Sequence, residues 1–212
     1  MEHITKSQVK LVRSLQHKKF RDELGLFVAE GDKCVSELAK AFELEYLIVE
    51  DALSSHSNAV SLLIASRSEI EQMSGLRTPQ GVIGVFKKSN SPKDGLTGAA
   101  GLTAQRSNSP EDGLILALDG VQDPGNLGTI IRTCDWFGVH DIVCSLDTAD
   151  CYNPKVVQAT MGALARVRVH YVNLPEWLNG QMVNIYGTLL DGEDMYKSLL
   201  AQRSVSEAVC QR

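Results

Sequence analysis

The order of apolar and polar residues predicts a first α/β unit over residues 1–88. Apolar positions recur at helical spacing over 7–20, with Ser7 as a possible N-cap. A strand that ends at Glu30, a turn at Gly31 and a helix come next. The remaining elements are a strand over 44–50, a helix or short strand over 59–66, a helix over 68–73 and a strand over 81–88. Alternating strands and helices are typical of α/β proteins.

A second run of strands and helices begins at residue 114. LILALD predicts a strand, VQDPGN a turn, and LGTIIRTCDWF a helix that Gly138 ends. The next strand, HDIVCS, follows so soon that we expect it to be a parallel neighbour of the first. The later elements are a helix over 153–167, a strand over 167–172, a short helix over 174–180 and a strand over 183–191.

A linker is predicted between the two units. Residues 89–113 are rich in Ser, Gly, Asn, Pro and Ala, which bury too little apolar surface to order themselves. SNSPKDGL at 89–96 returns as SNSPEDGL at 107–114. We interpret this as a tandem duplication, because a structural repeat needs periodic apolar positions.

The composition is ordinary for a globular protein, but the charge is uneven. The 212 residues are 43% hydrophobic and carry a net charge of −5, which argues against a polyanion-binding protein overall. One segment is basic and contains no acid: Lys6, Lys10, Arg13, Lys18, Lys19 and Arg21. Because we find no signal peptide pattern and no apolar run of about 18 residues, we expect a cytoplasmic protein without membrane contact.

The five cysteines form no CxxC pair, which suits reduced thiols better than disulfides. Cys134, His140, Cys144 and Cys151 cluster in the sequence, so a zinc site has to be considered. Cys134 falls in a helical pattern and Cys144 in an apolar strand, where a free cysteine is usually part of the core. We therefore expect no bound metal.

The turn at 119–128 has the placement of a phosphate-binding loop without its sequence. It leads from a strand into a helix, where free N–H groups and the helix dipole favour an anion. GVQDPGNLG, however, contains neither GxGxxG nor GxxxxGK[ST], which disfavours a nucleotide-binding oxidoreductase. The glycine at 128 predicts room beside Arg132, whose guanidinium suits a phosphate. A solvated arginine with structural glycines is an equally weighted alternative.

A second stretch, QATMGALAR, places small residues on an otherwise apolar helix. Thr160, Gly162 and Ala163 permit close approach of a ligand or of another helix. Packing between helices is the favoured interpretation.

The two stretches together resemble a known family. D-x-x-x-D-P-G-N-x-G-x-x-x-R at 119–132 and NPKVVQATMGAL at 153–164 are similar to the first two motifs of the SpoU (TrmH-like) family of the SPOUT class. KKFRDELGLFVAEGDKCVSEL at 18–38 resembles the family's substrate-binding N-terminal domain. The resemblance implies an RNA ribose 2′-O-methyltransferase that uses S-adenosylmethionine, a doubly wound parallel sheet with a trefoil knot, and a homodimer.

The resemblance also implies roles for individual residues. Asn126 and Arg132 match the polar pair of the first motif, and Arg132 is expected to help activate the ribose hydroxyl or to hold the adjacent phosphate. The basic residues of 6–21, with Arg132, are the expected RNA contacts. The expected start of the cofactor pocket is the strand end at Gly187, Thr188 and Leu189.

The family's third motif, a G-[NS]-E-G-like turn followed by an S-L-N segment, has no match in this sequence. DGED at 191–194 ends the preceding predicted strand instead. We therefore expect a methyltransferase unit over 114–212 that is C-terminally incomplete. Two functions stay open: methyl transfer to a ribose of ribosomal or transfer RNA, and a non-catalytic, dimerising RNA-binding protein.

Overall fold

A computed structural model describes residues 2–50, 61–88, 114–181 and 184–188. Their strands form a five-stranded sheet and a three-stranded sheet. The strands are β1 (Glu2–His3), β2 (Leu26–Glu30), β3 (Leu44–Val49), β4 (Leu62–Ile64), β5 (Val82–Lys87), β6 (Ile115–Leu118), β7 (Asp141–Ser145) and β8 (Arg168–Val172). The helices are α1 (Lys6–Ser14), α2 (Lys18–Leu24), α3 (Asp32–Leu38), α4 (Arg67–Met73), α5 (Pro124–Trp136), α6 (Pro154–Thr160) and α7 (Leu174–Asn179), with a 3₁₀ turn at Ala163–Ala165.

The first sheet is mixed and the second is parallel. The first has the order β1-β4-β3-β5-β2, in which β5 runs antiparallel to both of its neighbours. The second has the order β6-β7-β8, and both of its pairs are parallel. The predicted parallel pairing of the strands at 114–119 and 140–145 is therefore confirmed.

Helices cover both faces of the second sheet. Successive side chains of each strand point to opposite faces, and apolar side chains are buried on both. Ile142 and Cys144 of β7 pack into the large core that contains α5 and α6, whereas Val143 packs with Leu174 and Trp177 of α7 on the opposite face. This is the doubly wound arrangement that the resemblance implies.

The two sheets share one apolar core. Phe27 of β2 and Leu38 of α3 belong to the same buried cluster as Leu127, Ile131 and Val157 of α5 and α6. The opposite face of the first sheet is covered by α1 and α4, which form a separate cluster. Helices α5 and α6 thus lie between the two sheets.

The predicted helix over 7–20 is wrong in detail, because the chain forms two helices with a break at 15–17. The first is capped by Thr5, in a capping box with Gln8, and not by Ser7. At the break, the Arg21 Nη1 donates to the carbonyl oxygens of Leu15 and Gln16, both at 2.9 Å. These carbonyls have lost their helical partners, so the guanidinium stabilises the break.

The predicted helix over 153–167 also ends early, at Thr160. Met161 and Gly162 adopt positive φ angles of 53° and 91°, a conformation that favours glycine. The unwound segment lets Gly162 approach α3, since a Cβ added to Gly162 would lie 2.5 Å from the Glu37 Cβ. Within the predicted strand over 183–191, residues 184–188 are not in a strand.

Candidate functional site

The motif turn is held by the carboxyl end of the neighbouring strand. Gly120, with φ of 63°, donates its N–H to the Ser145 Oγ at 2.8 Å, and Ser145 donates in turn to the Asp147 Oδ1 at 2.6 Å. Ala149 donates its N–H to the Val121 carbonyl at 2.9 Å. We did not predict these supporting residues, although the carboxyl ends of adjacent parallel strands are expected to meet.

Helix α5 begins three residues earlier than predicted, at Pro124. The Asp123 side chain accepts a hydrogen bond from the Asn126 N–H at 2.7 Å and so caps the helix. Proline is suited to the first helical position because it lacks an N–H to satisfy. The Asn126 side chain is exposed and has no hydrogen-bond partner among the described residues.

Arg132 lies six positions, or less than two turns, further along α5 and is also without a partner among the described residues. It is exposed and forms no ion pair or side-chain hydrogen bond within the described part of the chain. The distance of six positions between Asn126 and Arg132 corresponds to about 9 Å along the helix axis and about 120° around it. The two side chains do not contact one another.

Gly128 does not open a space beside Arg132, and that interpretation of the sequence is wrong. A Cβ added to Gly128 would lie 2.5 Å from the Ala159 Cβ and 2.8 Å from the Val156 carbonyl oxygen. Gly128 is thus the point where α5 and α6 cross closely. Packing between helices is likewise confirmed for the second motif, where Thr160 and Ala163 are buried and a Cβ added to Gly162 would lie 2.5 Å from the Glu37 Cβ of α3.

Five of the six predicted basic residues of 6–21 form an exposed basic surface. Lys6, Lys10 and Arg13 lie on α1 and Lys18 and Lys19 begin α2; all are exposed. None has an ion-pair partner among the residues that the structure describes. These side chains are therefore available to an anionic partner.

Arg21 is the exception, and its predicted contact with RNA is wrong. It is 1% exposed, and its Nε and Nη2 donate to the Asp150 Oδ2 at 3.1 and 2.7 Å. Since Asp150 follows β7 in the second unit, Arg21 joins the two units and is not available for RNA.

The cysteines in the described ranges are thiols that belong to the core. Cys134 lies on α5 and Cys144 on β7, as predicted, and both are buried with Cys34 and Cys151. Burial raises the pKa of Cys34 to about 11 and that of Cys144 to about 12. Within the described residues, no group of His, Cys, Asp and Glu is arranged to hold a metal ion, and no helix is both long and apolar enough to cross a membrane.

The predicted cofactor residues form no enclosure in the described part of the chain. Gly187 and Thr188 are exposed, and a Cβ added to Gly187 would have no described atom within 4 Å. Leu189 lies outside the described residues. We therefore assign no cofactor contact to Gly187 or Thr188 from the structure.

A doubly wound parallel sheet with a capped turn and a free arginine fits the class of RNA methyltransferases that the motifs resemble. Residues 113–209 match the SpoU rRNA Methylase family, and residues 6–84 match the MRM3-like substrate binding domain. The chain thus carries a SpoU methylase family domain and, ahead of it, an MRM3-like substrate-binding domain.

Individual relatives support this assignment. The chain is 29% identical to the 23S rRNA (guanosine(2553)-2′-O)-methyltransferase RlmP of Bacillus subtilis over 94% of this chain and 77% of the relative. It is 31% identical to the mitochondrial rRNA methyltransferase 3 of Homo sapiens over 77% of this chain, and it spans 38% of that protein's length. An AdoMet-bound rRNA methyltransferase from Sinorhizobium meliloti has a TM-score of 0.67 at 29% identity, over 85% of this chain and 68% of that one.

Proposed function

We propose that this chain transfers a methyl group from S-adenosylmethionine to a ribose 2′-hydroxyl of ribosomal RNA. The observation that carries the proposal is Arg132, a guanidinium without a partner among the described residues, on the helix that the first family motif begins. Two relatives support the substrate, since they are named for methyl transfer to rRNA. The AdoMet-bound structure of a third supports the cofactor.

The chemistry requires an oriented and activated hydroxyl. A ribose hydroxyl is a weak nucleophile, so transfer needs both alignment and help in removing its proton. Arg132 pairs with the phosphate beside the target ribose, and its charge lowers the pKa of the hydroxyl. Because a guanidinium stays protonated, Arg132 orients and polarises but does not itself accept the proton. S-adenosylmethionine, when bound, would supply the electrophilic methyl group and leave as S-adenosylhomocysteine, while the proton of the hydroxyl passes to water.

Asn126 complements Arg132 at the start of the helix. Its free amide can donate to and accept from a sugar or a base edge. The bases of α1 and α2 hold the RNA further away, through contacts with phosphates that carry affinity without sequence information. The proposed organisation is a substrate-binding unit over 1–88, a linker over 89–113 and a methyltransferase unit over 114–212.

We further propose that the protein is a homodimer in which the C-terminal end of α5 lies in the interface. Trp136 is 85% exposed and Phe137 is 76% exposed, and adjacent exposed aromatics mark interaction sites. Sedimentation should show a dimer for the native chain and a monomer for the double variant Trp136→Ser, Phe137→Ser. A native monomer at micromolar concentration would contradict this proposal.

The remaining features of the proposal are a cytoplasmic location, a reaction without a metal, and a trefoil knot. Methyl transfer that continues unchanged in EDTA would support a reaction without a metal. The expected knot involves the chain after residue 188, which lies outside the described residues.

The main experiment is a transfer assay with tritium-labelled S-adenosylmethionine and 23S rRNA, with the methylated ribose then mapped by primer extension at low nucleotide concentration. We expect label in the RNA at a single ribose. Calorimetry with S-adenosylmethionine distinguishes the alternative function. A chain that binds RNA but shows no heat at near-millimolar cofactor would be a non-catalytic RNA-binding protein.

A further inference from the structure

A cleft of about 230 Å³ lies where the substrate-binding unit meets the starts of α5 and α6. Its lining includes residues of both units: Gln16, Glu30 and Leu76 from the first, and Pro124, Lys155 and Gln158 from the second. Pro124 belongs to the first family motif and Lys155 to the second. The cleft therefore opens at both motifs and at the substrate-binding unit at once.

The wall from the substrate-binding unit is fixed by a buried carboxylate. Glu30, at the end of β2, is 4% exposed. Its Oε1 accepts from the Gly75 N–H at 2.7 Å, and its Oε2 accepts from the Ser74 hydroxyl. Both carboxylate oxygens are thus engaged by the loop that carries Leu76, which holds this loop against the cleft.

Two cations without partners among the described residues belong to segments that line the cleft. Lys155 lines it, and Arg77 directly follows Leu76; both are exposed and neither has a side-chain partner among the described residues. The chain elsewhere neutralises many of its bases. The described Lys and Arg residues that do form ion pairs are Arg21, Lys40, Arg67, Lys87, Lys88, Arg166 and Arg168.

We propose that this cleft is a second RNA contact site, which holds the strand next to the methylated nucleotide, with Lys155 and Arg77 on its phosphates. This inference rests on the proposed function. Gln16 lies between Arg13 and Lys18 in the chain, so the site continues the basic surface of α1 and α2 toward the motif turn.

The test is the salt dependence of binding between the full chain and transcribed 23S rRNA. Each phosphate contact that is lost should reduce the slope of log affinity against log salt by about 0.7–0.9. We expect this reduction for Lys155→Ala and for Arg77→Ala, and about twice as much for the double variant. Lys155→Arg and Arg77→Lys should keep the native slope.

The matched control is Lys87→Ala, because Lys87 is exposed but paired with Glu43 and Glu45; its slope should stay native. Urea unfolding should show all variants folded. Native slopes for both Lys155→Ala and Arg77→Ala would overturn the cleft site alone. If the native chain bound no RNA at low salt, the proposed function itself would fail, so the two failures are distinguishable.

Discussion

The contact between the two units and the exposed face of α5 each contain a prominent arginine, Arg21 in the first and Arg132 in the second. The two arginines differ in burial and in pairing. Arg21 is buried and donates to Asp150 and to two carbonyl oxygens. Arg132 is exposed and has no partner among the described residues. The arginine that is fully paired stabilises the fold, whereas the free one is available to a phosphate. The presence or absence of a partner distinguishes the two roles. Position in the sequence alone did not distinguish them.

Arg166 follows the pattern of Arg21 at the other end of the contact. Its Nε and Nη2 donate to the Asp135 carboxylate of α5, each at 2.8 Å, and its Nη1 donates to Glu37 of α3 at 2.7 Å. The hydrogen bonds that Arg166 donates to Asp135, the largest cause, and to Glu37 raise the pKa of Arg166, whereas burial opposes this rise. An arginine thus bridges the two units at each end of the contact between them.

The largest expected effect is on stability, from Arg21→Ala. The change leaves the Asp150 side chain, which is 11% exposed, without its cation and removes two hydrogen bonds at the break after α1. We expect the free energy of unfolding in urea to fall by about 3–5 kcal/mol. Lys19→Ala, a base without a partner in the same segment, should change it by less than about 0.5 kcal/mol. Equal effects of the two variants would contradict the comparison.

The next effect is on activity, from Arg132→Ala. Loss of a donor that orients the nucleotide and stabilises developing charge typically costs about 10²–10³ in rate. We expect a loss of this order in methyl transfer, with a native free energy of unfolding. Arg67→Ala is the matched control, since Arg67 is partly exposed but paired with Glu50 and Glu71, and it should keep the native rate. An unchanged rate for Arg132→Ala would remove Arg132 from the reaction.

Local patterns predicted much of the second unit. Strands β6, β7 and β8 and helix α7 lie close to the expected positions, because short apolar runs and turn residues determine them. The break after α1 was not predicted, since it depends on Arg21 meeting Asp150, a residue 129 positions away. The motif turn was located correctly, but its support by Ser145 required the pairing of β6 with β7.

Gly128 shows the same limit on a smaller scale. A glycine in a helix leaves a gap on its surface, and the sequence does not say what fills it. Here Ala159 fills it. Only the crossing of α5 and α6 distinguishes a packing glycine from one that makes room for a ligand.

Gly128→Ala tests this packing and should have an intermediate effect. The added Cβ would meet Ala159 and the Val156 carbonyl well inside normal contact distance, and overpacking of this kind costs about 1–3 kcal/mol. We expect that loss in urea unfolding. Gly125→Ala, in the first turn of the same helix, should cost less, because among the described atoms its Cβ would meet the end of the Asp123 side chain alone, at 3.1 Å. A stabilised Gly128→Ala variant would show that the helices separate easily.

The smallest effect concerns Arg168, which is paired like Arg21 but exposed like Arg132. Its side chain is 70% exposed, and it binds Asp141, to which the His170 Nε2 also lies within 2.9 Å. Burial raises the pKa of Asp141. The hydrogen bonds with Arg168 and His170 together outweigh burial, so the pKa of Asp141 lies below its usual value of 3.8. The ionised carboxylate therefore stabilises the fold above pH 3.8, and this contribution is lost as the pH falls through the lowered pKa.

Asp141→Asn should cost less than about 1 kcal/mol near neutral pH, because solvent screens the pair. The difference from the native chain, measured by urea unfolding between about pH 3 and 7, should shrink toward the acid end. A difference that grew on acidification would mean that the Arg168 pair does not stabilise the fold.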